Sequence, residues 1–214
     1  AASIKHDKER YEHKYEYCDL LIAGTGPSGL ASAYAAAKNG AKVILAEDKS
    51  RYGGSLLTSE VTIGNQSGKE WAEQIISELK SMPNVIVKNR SQVFGYYDHN
   101  MLVMSERVSD HLPKTDKYTP KQRLWYIRAE QVIISSGSIE RPLVFGNNDA
   151  PGVMLSSAAK EYLKIYGVLV GKNPIIFTNN DSGYETAIEF KKNGVDPIVL
   201  DTRKDANSEI IKEA

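Results

Sequence analysis

Apolar residues fall in two rhythms along the chain. "YCDLLIA" (17–23) and "AKVILAED" (41–48) are short, nearly continuous apolar runs of buried-strand type, and the Ala-rich "SGLASAYAAAKNG" between them reads as a helix closed by Asn39-Gly40. Together they predict one βαβ unit. "GKEWAEQIISELKSM" sets Trp71, Ile75, Ile76 and Leu79 at helical spacing, and Pro83 ends that pattern. "NVIVK", "SQVFGYY", "MLVMSERV" and "RLWYIRA" predict short strands of an antiparallel meander, broken by a polar loop from about Ser109 to Pro120. "QVIISSGS" predicts another buried strand running into a turn of small residues. "RPLVFGNNDAPGVML" reads as an irregular link, and "SSAAKEYLKIYG" as a helix.

At Asn173 the same grammar starts afresh. "PIIFTNNDSGYETAIEFKKNGVDPIVLD" reads strand, turn, helix, strand, and closes on Asp201. The two βαβ units form an internal repeat about 150 residues apart. The pattern predicts an α/β fold: a Rossmann-like, doubly wound parallel sheet with an antiparallel β-meander insertion, followed by part of a second Rossmann-like unit. Residues 1–16, highly charged with two histidines and no clear period, are expected to be a lead-in; the first domain is expected over 17–150, and a linker plus partial second domain over 151–214.

Composition narrows the function more than the fold. The 27 Lys and Arg balance 27 Asp and Glu, so no basic surplus points to nucleic acid. No apolar run approaches the roughly 18 residues needed to span a bilayer, and the charged opening is unlike a signal peptide, so a cytoplasmic protein is expected. Cys18 is alone, which excludes an internal disulfide, a Cys-x-x-Cys pair and a cysteine-held iron–sulfur cluster within these residues. With no initiator Met and an end soon after the second unit, the sequence is expected to be a piece of a longer chain.

The chemistry lies in the first turn. "GTGPSG" supplies Gly24, Gly26 and Gly29 directly after a predicted strand and before a predicted helix. Gly24 permits the tight turn, Gly26 lets backbone approach a pyrophosphate, and Gly29 lets helix and strand pack closely. With Pro27 and Ser28 they open the helix, whose free N–H groups and positive dipole end would face the phosphates. Glu47, separated from Gly29 by 17 residues, ends the next strand, where a carboxylate accepts from ribose hydroxyls. It also repels a 2′-phosphate: two unit charges about 4 Å apart interact by roughly 4 kcal/mol at an effective dielectric near 20. Asp48, Arg51, Gly54 and Ser55 follow in the next loop as candidate contacts, Arg51 as a cation near phosphate or adenine or as a solvated side chain. Ser136 and Gly137 of the "SSGS" turn are candidates for a strand end returning over the cradle.

The second turn keeps one of the three glycines. Thr178, Asn180 and Gly183 stand where Gly24, Gly26 and Gly29 stand in the first unit, and Asp201 stands in place of Glu47. A β-branched Thr is costly where positive φ is needed, the Asn180 side chain fills space a pyrophosphate would use, and Asp181 or Ser182 can cap the helix unaided. The second motif is therefore expected to be empty scaffold. "GYYDHN" tempts an acid–base reading of Tyr96, Tyr97, Asp98 and His99, but neighbours alternate faces on a strand, so a turn is expected, with Asp98 and Asn100 bonding local backbone. His6, His13 and His111 lack partners at metal spacing, so no metal site is expected. Cys18, at the start of a buried strand, is expected to be inert packing, and no catalytic residue is assigned.

These residues carry a resemblance. "YCDLLIAGTGPSGLASAYAAAKNGAKVILAED" with "GGSLL" resembles the flavoproteins with two dinucleotide domains. "VFGYYDHN", "RLWYIRAEQVIISSGSIERPLVFGNNDAPGVMLSSAAKEYL" and "IFTNNDSGYETA" resemble more specifically the alpha subunits of heterotetrameric sarcosine oxidases, from about Arg10 onward. The resemblance implies an assembly that oxidises sarcosine with oxygen to glycine and peroxide and passes the one-carbon unit to tetrahydrofolate. It implies amine oxidation on flavin held mainly by another subunit, and a non-covalent NAD, with FAD as the alternative, in a domain of this kind. The family's dinucleotide motif falls on Gly24, Gly26, Gly29 and Glu47, with Gly54 and Ser55 following; no amine-oxidising residue maps here. Partners would be the other subunits of the oxidase. Related subunits of opine, proline and cyanide-forming dehydrogenases often carry a cysteine cluster, which this stretch lacks. Two rival readings remain open from the residues: an independent FAD-dependent NADH oxidoreductase using both βαβ units, and a non-catalytic assembly module.

Overall fold

The computed structural model describes residues 9–214. They divide into two compact units, separated after Gly137. The expected boundary at 150/151 therefore differs from the division by contacts, because the irregular stretch 138–155 groups with the second unit.

The first unit begins with a 13-residue strand, β1 (Tyr11–Ala23), followed by α1 (Pro27–Lys38) and β2 (Val43–Ala46). A short 3-10 turn (Gly54–Leu57) and a hairpin of two-residue strands, β3 (Thr62–Ile63) and β4 (Gln66–Ser67), lead into α2 (Gly68–Ser81). Then come β5 (Val85–Lys88), β6 (Ser91–Tyr97), β7 (Met101–Arg107) and β8 (Gln122–Ile134). The main sheet runs β5-β2-β1-β8-β7-β6. The first four strands are mutually parallel, and β7 and β6 add antiparallel.

Two corrections concern strand length. Residues 11–16, expected as lead-in, are strand: "YEHKYEY" alternates ring-bearing odd positions with charged even ones, the period-2 signature of a strand exposed on both faces. His13 and Tyr15 stack on Tyr126 at ring centroid distances of 5.7 and 5.1 Å, while Glu12 and Glu16 pair with Arg123 and Lys42 on the other face. "RLWYIRA" and "QVIISSGS", expected as separate strands, are one strand, β8, parallel to β1 along its length. The polar Glu130 that suggests a break is accommodated: its carboxylate accepts from the Tyr17 hydroxyl at 2.5 Å, and that bond to Glu130, followed by burial, pushes the phenol up to about 12. The expected turn at 98–100 is present and joins β6 to β7, with His99 and Asn100 at positive φ. Asn100, whose amide donates to the Glu130 carbonyl at 3.0 Å, fastens it, and its Oδ1 accepts from Tyr96 at 2.9 Å.

Strand alternation gives the sheet two apolar faces. Leu20, Ile22, Val43 and Leu45 pack against Leu30, Ala33 and Ala37 of α1 and Ala72, Ile75, Ile76 and Leu79 of α2. The small side chains of α1 let it lie close to the strands, and α2 starts with a capping box in which Ser67 and Glu70 satisfy each other's backbone N–H. On the opposite face Cys18, Leu21, Ile44 and Ala46 meet Leu102, Met104, Ile127 and Ala129 of the meander strands. Cys18 is wholly buried there, and burial pushes its thiol up to about 12, which keeps it protonated and unreactive. At the edge of this face Glu106 is buried and accepts from Trp125 Nε1 (2.7 Å), Lys88 (2.9 Å) and Arg123 (3.0 Å).

The second unit holds α3 (Ser156–Tyr166), β9 (Ile175–Thr178), α4 (Ser182–Lys192), β10 (Ile198–Asp201) and α5 (Glu209–Glu213). β9 and β10 pair in parallel, so the second βαβ unit forms as the periodicity predicts. Ala159 and Leu163 of α3 join Ile176, Ala187 and Phe190 in its core. Among the described residues no helix is long and apolar enough to cross a membrane.

Burial alone would push the Glu106 carboxyl up, but its bonds to Lys88 and Trp125 outweigh that and hold it below the usual carboxylate range. A depressed pKa contributes stability above the unfolded-state value and loses it as pH falls through the folded-state value. Glu106→Gln should therefore lower stability by about 1–3 kcal/mol at neutral pH, and in urea titrations the gap from the parent should narrow as pH drops below the ordinary carboxylate range.

Candidate functional site

The parallel ladders end together at the C-terminal edge of the sheet, and there the first turn is assembled. Gly24 donates its N–H to the Ala46 carbonyl at 2.8 Å and adopts φ +107°, a conformation that favours glycine. A Cβ on Gly24 would lie 2.3 Å from the backbone oxygen of Ser135, so the end of β8 occupies that space. Ser135 also donates its hydroxyl to the carbonyls of Ala23 (3.0 Å) and Gly24 (2.9 Å). On Gly29 a Cβ would lie 2.0 Å from the Gly24 carbonyl oxygen, so helix α1 can start only with glycine there.

Gly26 differs from both. A Cβ placed on it meets nothing within 4 Å, and its φ of −66° is open to any residue. No fold requirement for glycine is visible at that position, which leaves open space over the first turn of α1. Pro27 begins the helix, no side chain caps it, and its first turn carries no acidic residue. Pro27 and Ser28 are exposed. An uncapped helix start beside a glycine that faces free space is a cradle a pyrophosphate fits.

Glu47 follows β2 and is buried. Its Oε2 accepts from the backbone N–H of Thr25 at 3.1 Å and from the Thr25 hydroxyl, and its Oε1 accepts from Lys49 N–H at 3.1 Å. Of the roughly four acceptor positions of a carboxylate, Thr25 and Lys49 fill three, and the neighbouring Asp48 carboxyl lies within hydrogen-bonding reach. Burial first, then the adjacent Asp48 carboxyl, push Glu47 above the usual carboxylate range against the lowering effect of the Thr25 and Lys49 bonds. The loop after it returns to the turn: Gly53 N–H donates to Thr25 Oγ1 at 3.2 Å, and a Cβ on Gly54 would lie 2.9 Å from Gly26 Cα. Gly54 and Ser55 are exposed beside it.

Thus Gly24, Gly26, Gly29, Glu47 and Gly54 come together. Asp48 is exposed, and its carbonyl accepts from Arg107 at 3.1 Å. Arg51 lines a groove of about 510 Å³ along α2 with Tyr52, Leu57, Lys69, Ala72 and Lys80. Ser136 and Gly137 are exposed just beyond the end of β8, Gly137 with φ +72°. Ser135 opens the "SSGS" turn that is expected to return over the cradle, whereas Thr25 is not among the residues the motif singles out; its small hydroxyl side chain between glycines is the only sequence signal of its role.

The second turn is built differently. Thr178 closes β9 without positive φ, contrary to the expected strain, and its side chain packs where a Gly183 Cβ would come within 2.7 Å. Asn180 Oδ1 accepts from Ser182 N–H (2.9 Å) and Ser182 Oγ (2.6 Å). Asn180, and not Asp181 or Ser182 as expected, therefore satisfies the start of α4. Asp181 instead takes Arg203 at 2.8 Å. Arg203 also donates to both oxygens of Asp201, the counterpart of Glu47, and Tyr184 adds a bond to Asp201 at 3.1 Å. Both the helix start and the strand-end acid are thus engaged by protein groups.

Among the described residues no group of three or more His, Cys, Asp or Glu is placed to hold a metal; His6 lies outside them. Residues 19–109 match the family described as FAD dependent oxidoreductase. The chain is 45% identical over 203 residues to the sarcosine oxidase subunit alpha of Rhizobium meliloti (strain 1021), covering 94% of this chain and 21% of the relative. Homologues of this chain are sarcosine oxidase alpha subunits. The one from Corynebacterium sp. (strain P-1) is 36% identical over 92% of this chain and, again, 21% of the relative. This chain therefore spans about a fifth of the length of these curated relatives, and it resembles their FAD-dependent oxidoreductase domain. The sarcosine oxidase homologues are named as subunits. In fold, it superposes on L-proline dehydrogenase from P. horikoshii with a TM-score of 0.71 at 21% identity, over 92% of this chain and 38% of that one, which bears out the Rossmann-like α/β class.

The two glycines separate fold from binding. Gly29→Ala should cost at least about 3 kcal/mol of stability through overpacking. Gly26→Ala should stay within about 0.5 kcal/mol of the parent and yet weaken dinucleotide binding about tenfold or more, as read by thermal melting and by isothermal titration. In the second unit, Asp201 is held at about 2, chiefly by the Arg203 guanidinium. Its ionised form is favoured in the fold, so the pairing stabilises above the ordinary Asp range and is lost as pH falls through about 2. Carbon NMR should show that midpoint, and Arg203→Met should return it toward ordinary Asp.

Proposed function

We propose that this chain is the dinucleotide-holding portion of a sarcosine oxidase-type alpha subunit, acting within an assembly whose amine oxidation takes place on another subunit. The observation that carries the reading is the pairing of the open Gly26 position with an uncapped helix start and the buried Glu47 carboxylate at the end of β2. The names of the relatives support the assembly; the local geometry supports the ligand.

NAD is the ligand of this reading. FAD is the second reading, favoured by the match of residues 19–109 to a FAD dependent oxidoreductase family. Both share the adenosine diphosphate half. The N–H groups of the first turn of α1 would take the pyrophosphate, Gly26 and Gly54 would let the backbone close on it, and Glu47 would accept from the adenosine ribose. Asp48, Ser55, Ser136 and Gly137 would border the ligand, with Arg51 on the neighbouring groove. Bound there, NAD would supply a nicotinamide and FAD an isoalloxazine, either of which carries electrons; this chain's residues bind and orient the adenosine end and exclude a 2′-phosphate by charge. The second turn holds none in this reading, because Asn180 and Arg203 already occupy its donor and acceptor positions. No catalytic residue is assigned to this chain, and it has no turnover alone.

Mass spectrometry and absorbance of the cofactor released from the purified assembly should identify NAD or FAD bound at this cradle, and Glu47→Ala should reduce its retention about tenfold or more. Neither dinucleotide binding, with no change in Glu47→Ala, would sink the reading. A yellow isolated chain that oxidises NADH would favour an independent reductase instead.

A further inference from the structure

Thr25 occupies a variable position of the glycine motif, yet its side chain is wholly buried and every polar atom on it is used. Its hydroxyl donates to Glu47 Oε2 and accepts from Gly53 N–H at 3.2 Å, while its own N–H donates to the same Glu47 oxygen at 3.1 Å. One residue thereby ties the first turn, the end of β2 and the loop carrying Gly53 and Gly54. A hydroxyl is the smallest side-chain group that donates and accepts at once, and both roles are filled here. With Oε2 taken twice by Thr25, and Lys49 N–H and the Asp48 carboxyl also on the group, the orientation of the Glu47 carboxylate follows from where Thr25 holds it.

We propose that Thr25 is a positioning residue that aims the Glu47 carboxylate at the adenosine ribose, so that selectivity for ribose hydroxyls at this site depends on the Thr25 hydroxyl. The proposal rests on the first turn being a dinucleotide site. It makes Thr25 a determinant of which nucleotide sugar is accepted, acting through Glu47 and touching no ligand itself.

The test is isothermal titration of the cofactor-free protein with ADP, 2′-deoxy-ADP and 3′-deoxy-ADP. The parent should prefer ADP over at least one deoxy analogue by about tenfold, and Glu47→Ala should erase that preference. Thr25→Val keeps the volume and removes the hydroxyl; it should erase the preference too, leaving affinity for the deoxy analogue within about threefold of the parent. Thr25→Ser should keep it. If Thr25→Val weakens all three ligands equally, or leaves the preference intact, Thr25 serves only the fold and the proposal is overturned while the site stands. If the parent binds no ADP, or Glu47→Ala leaves the preference unchanged, the dinucleotide reading itself fails. Thr25→Ala removes the same two bonds with less bulk and replaces the Val variant should the latter not melt cooperatively.

Discussion

The parallel ladder between β1 and β8 is the contact on which the first unit hangs. It runs from Tyr11 opposite Gln122 to Ala23 opposite Ile134, and β8 turns on its other edge to pair antiparallel with β7. One strand pair thus joins the parallel half of the sheet to the meander and separates the two apolar clusters. It also delivers Ser135 onto Gly24 at the end where the dinucleotide motif lies. The motif is local in sequence, but its shape is held by a strand that arrives much later.

The two βαβ units show how the same architecture can leave a helix start bare or cover it with the protein's own groups. Helix-to-strand packing survives in both, through Gly29 against Gly24 in the first and Gly183 against Thr178 in the second. The difference lies in who satisfies the helix start and the strand-end acid. In the first unit the helix start is bare, and the acid accepts from Thr25 and from the Lys49 N–H. In the second, Asn180 takes the Ser182 N–H and a guanidinium closes over Asp201 and Asp181. Charge and hydrogen-bond capacity, more than backbone path, separate the two.

Much of this was legible locally. The buried strands, the Ala-rich helix, the amphipathic α2 and the three glycines follow from periods and spacings within about 30 residues. The reach of β1 was missed because charged even positions hide the aromatic alternation of "YEHKYEY". The unbroken course of β8 was missed because Glu130 reads as a loop residue until Tyr17, 113 positions earlier, is seen to bond it. Thr25 was silent because its hydroxyl partner Glu47 lies 22 residues on, while Ser135, read only as part of the returning "SSGS" turn, fastens that turn to Ala23 and Gly24. Asn180 was read for the space it fills, and its more consequential act is to cap α4.

The Ser135 contact bears on the order in which the chain can acquire its form. The glycine turn emerges from the ribosome before β8, and the backbone that fills the space beside Gly24 lies more than a hundred residues downstream. Loop closure of that span must be met before the turn gains its final support. A nascent chain paused before β8 would expose an unfinished turn and an unpaired edge along β1, which is the state a holding chaperone recognises. Completion of the turn therefore waits for the emergence of β8, whatever precedes or follows these residues in synthesis.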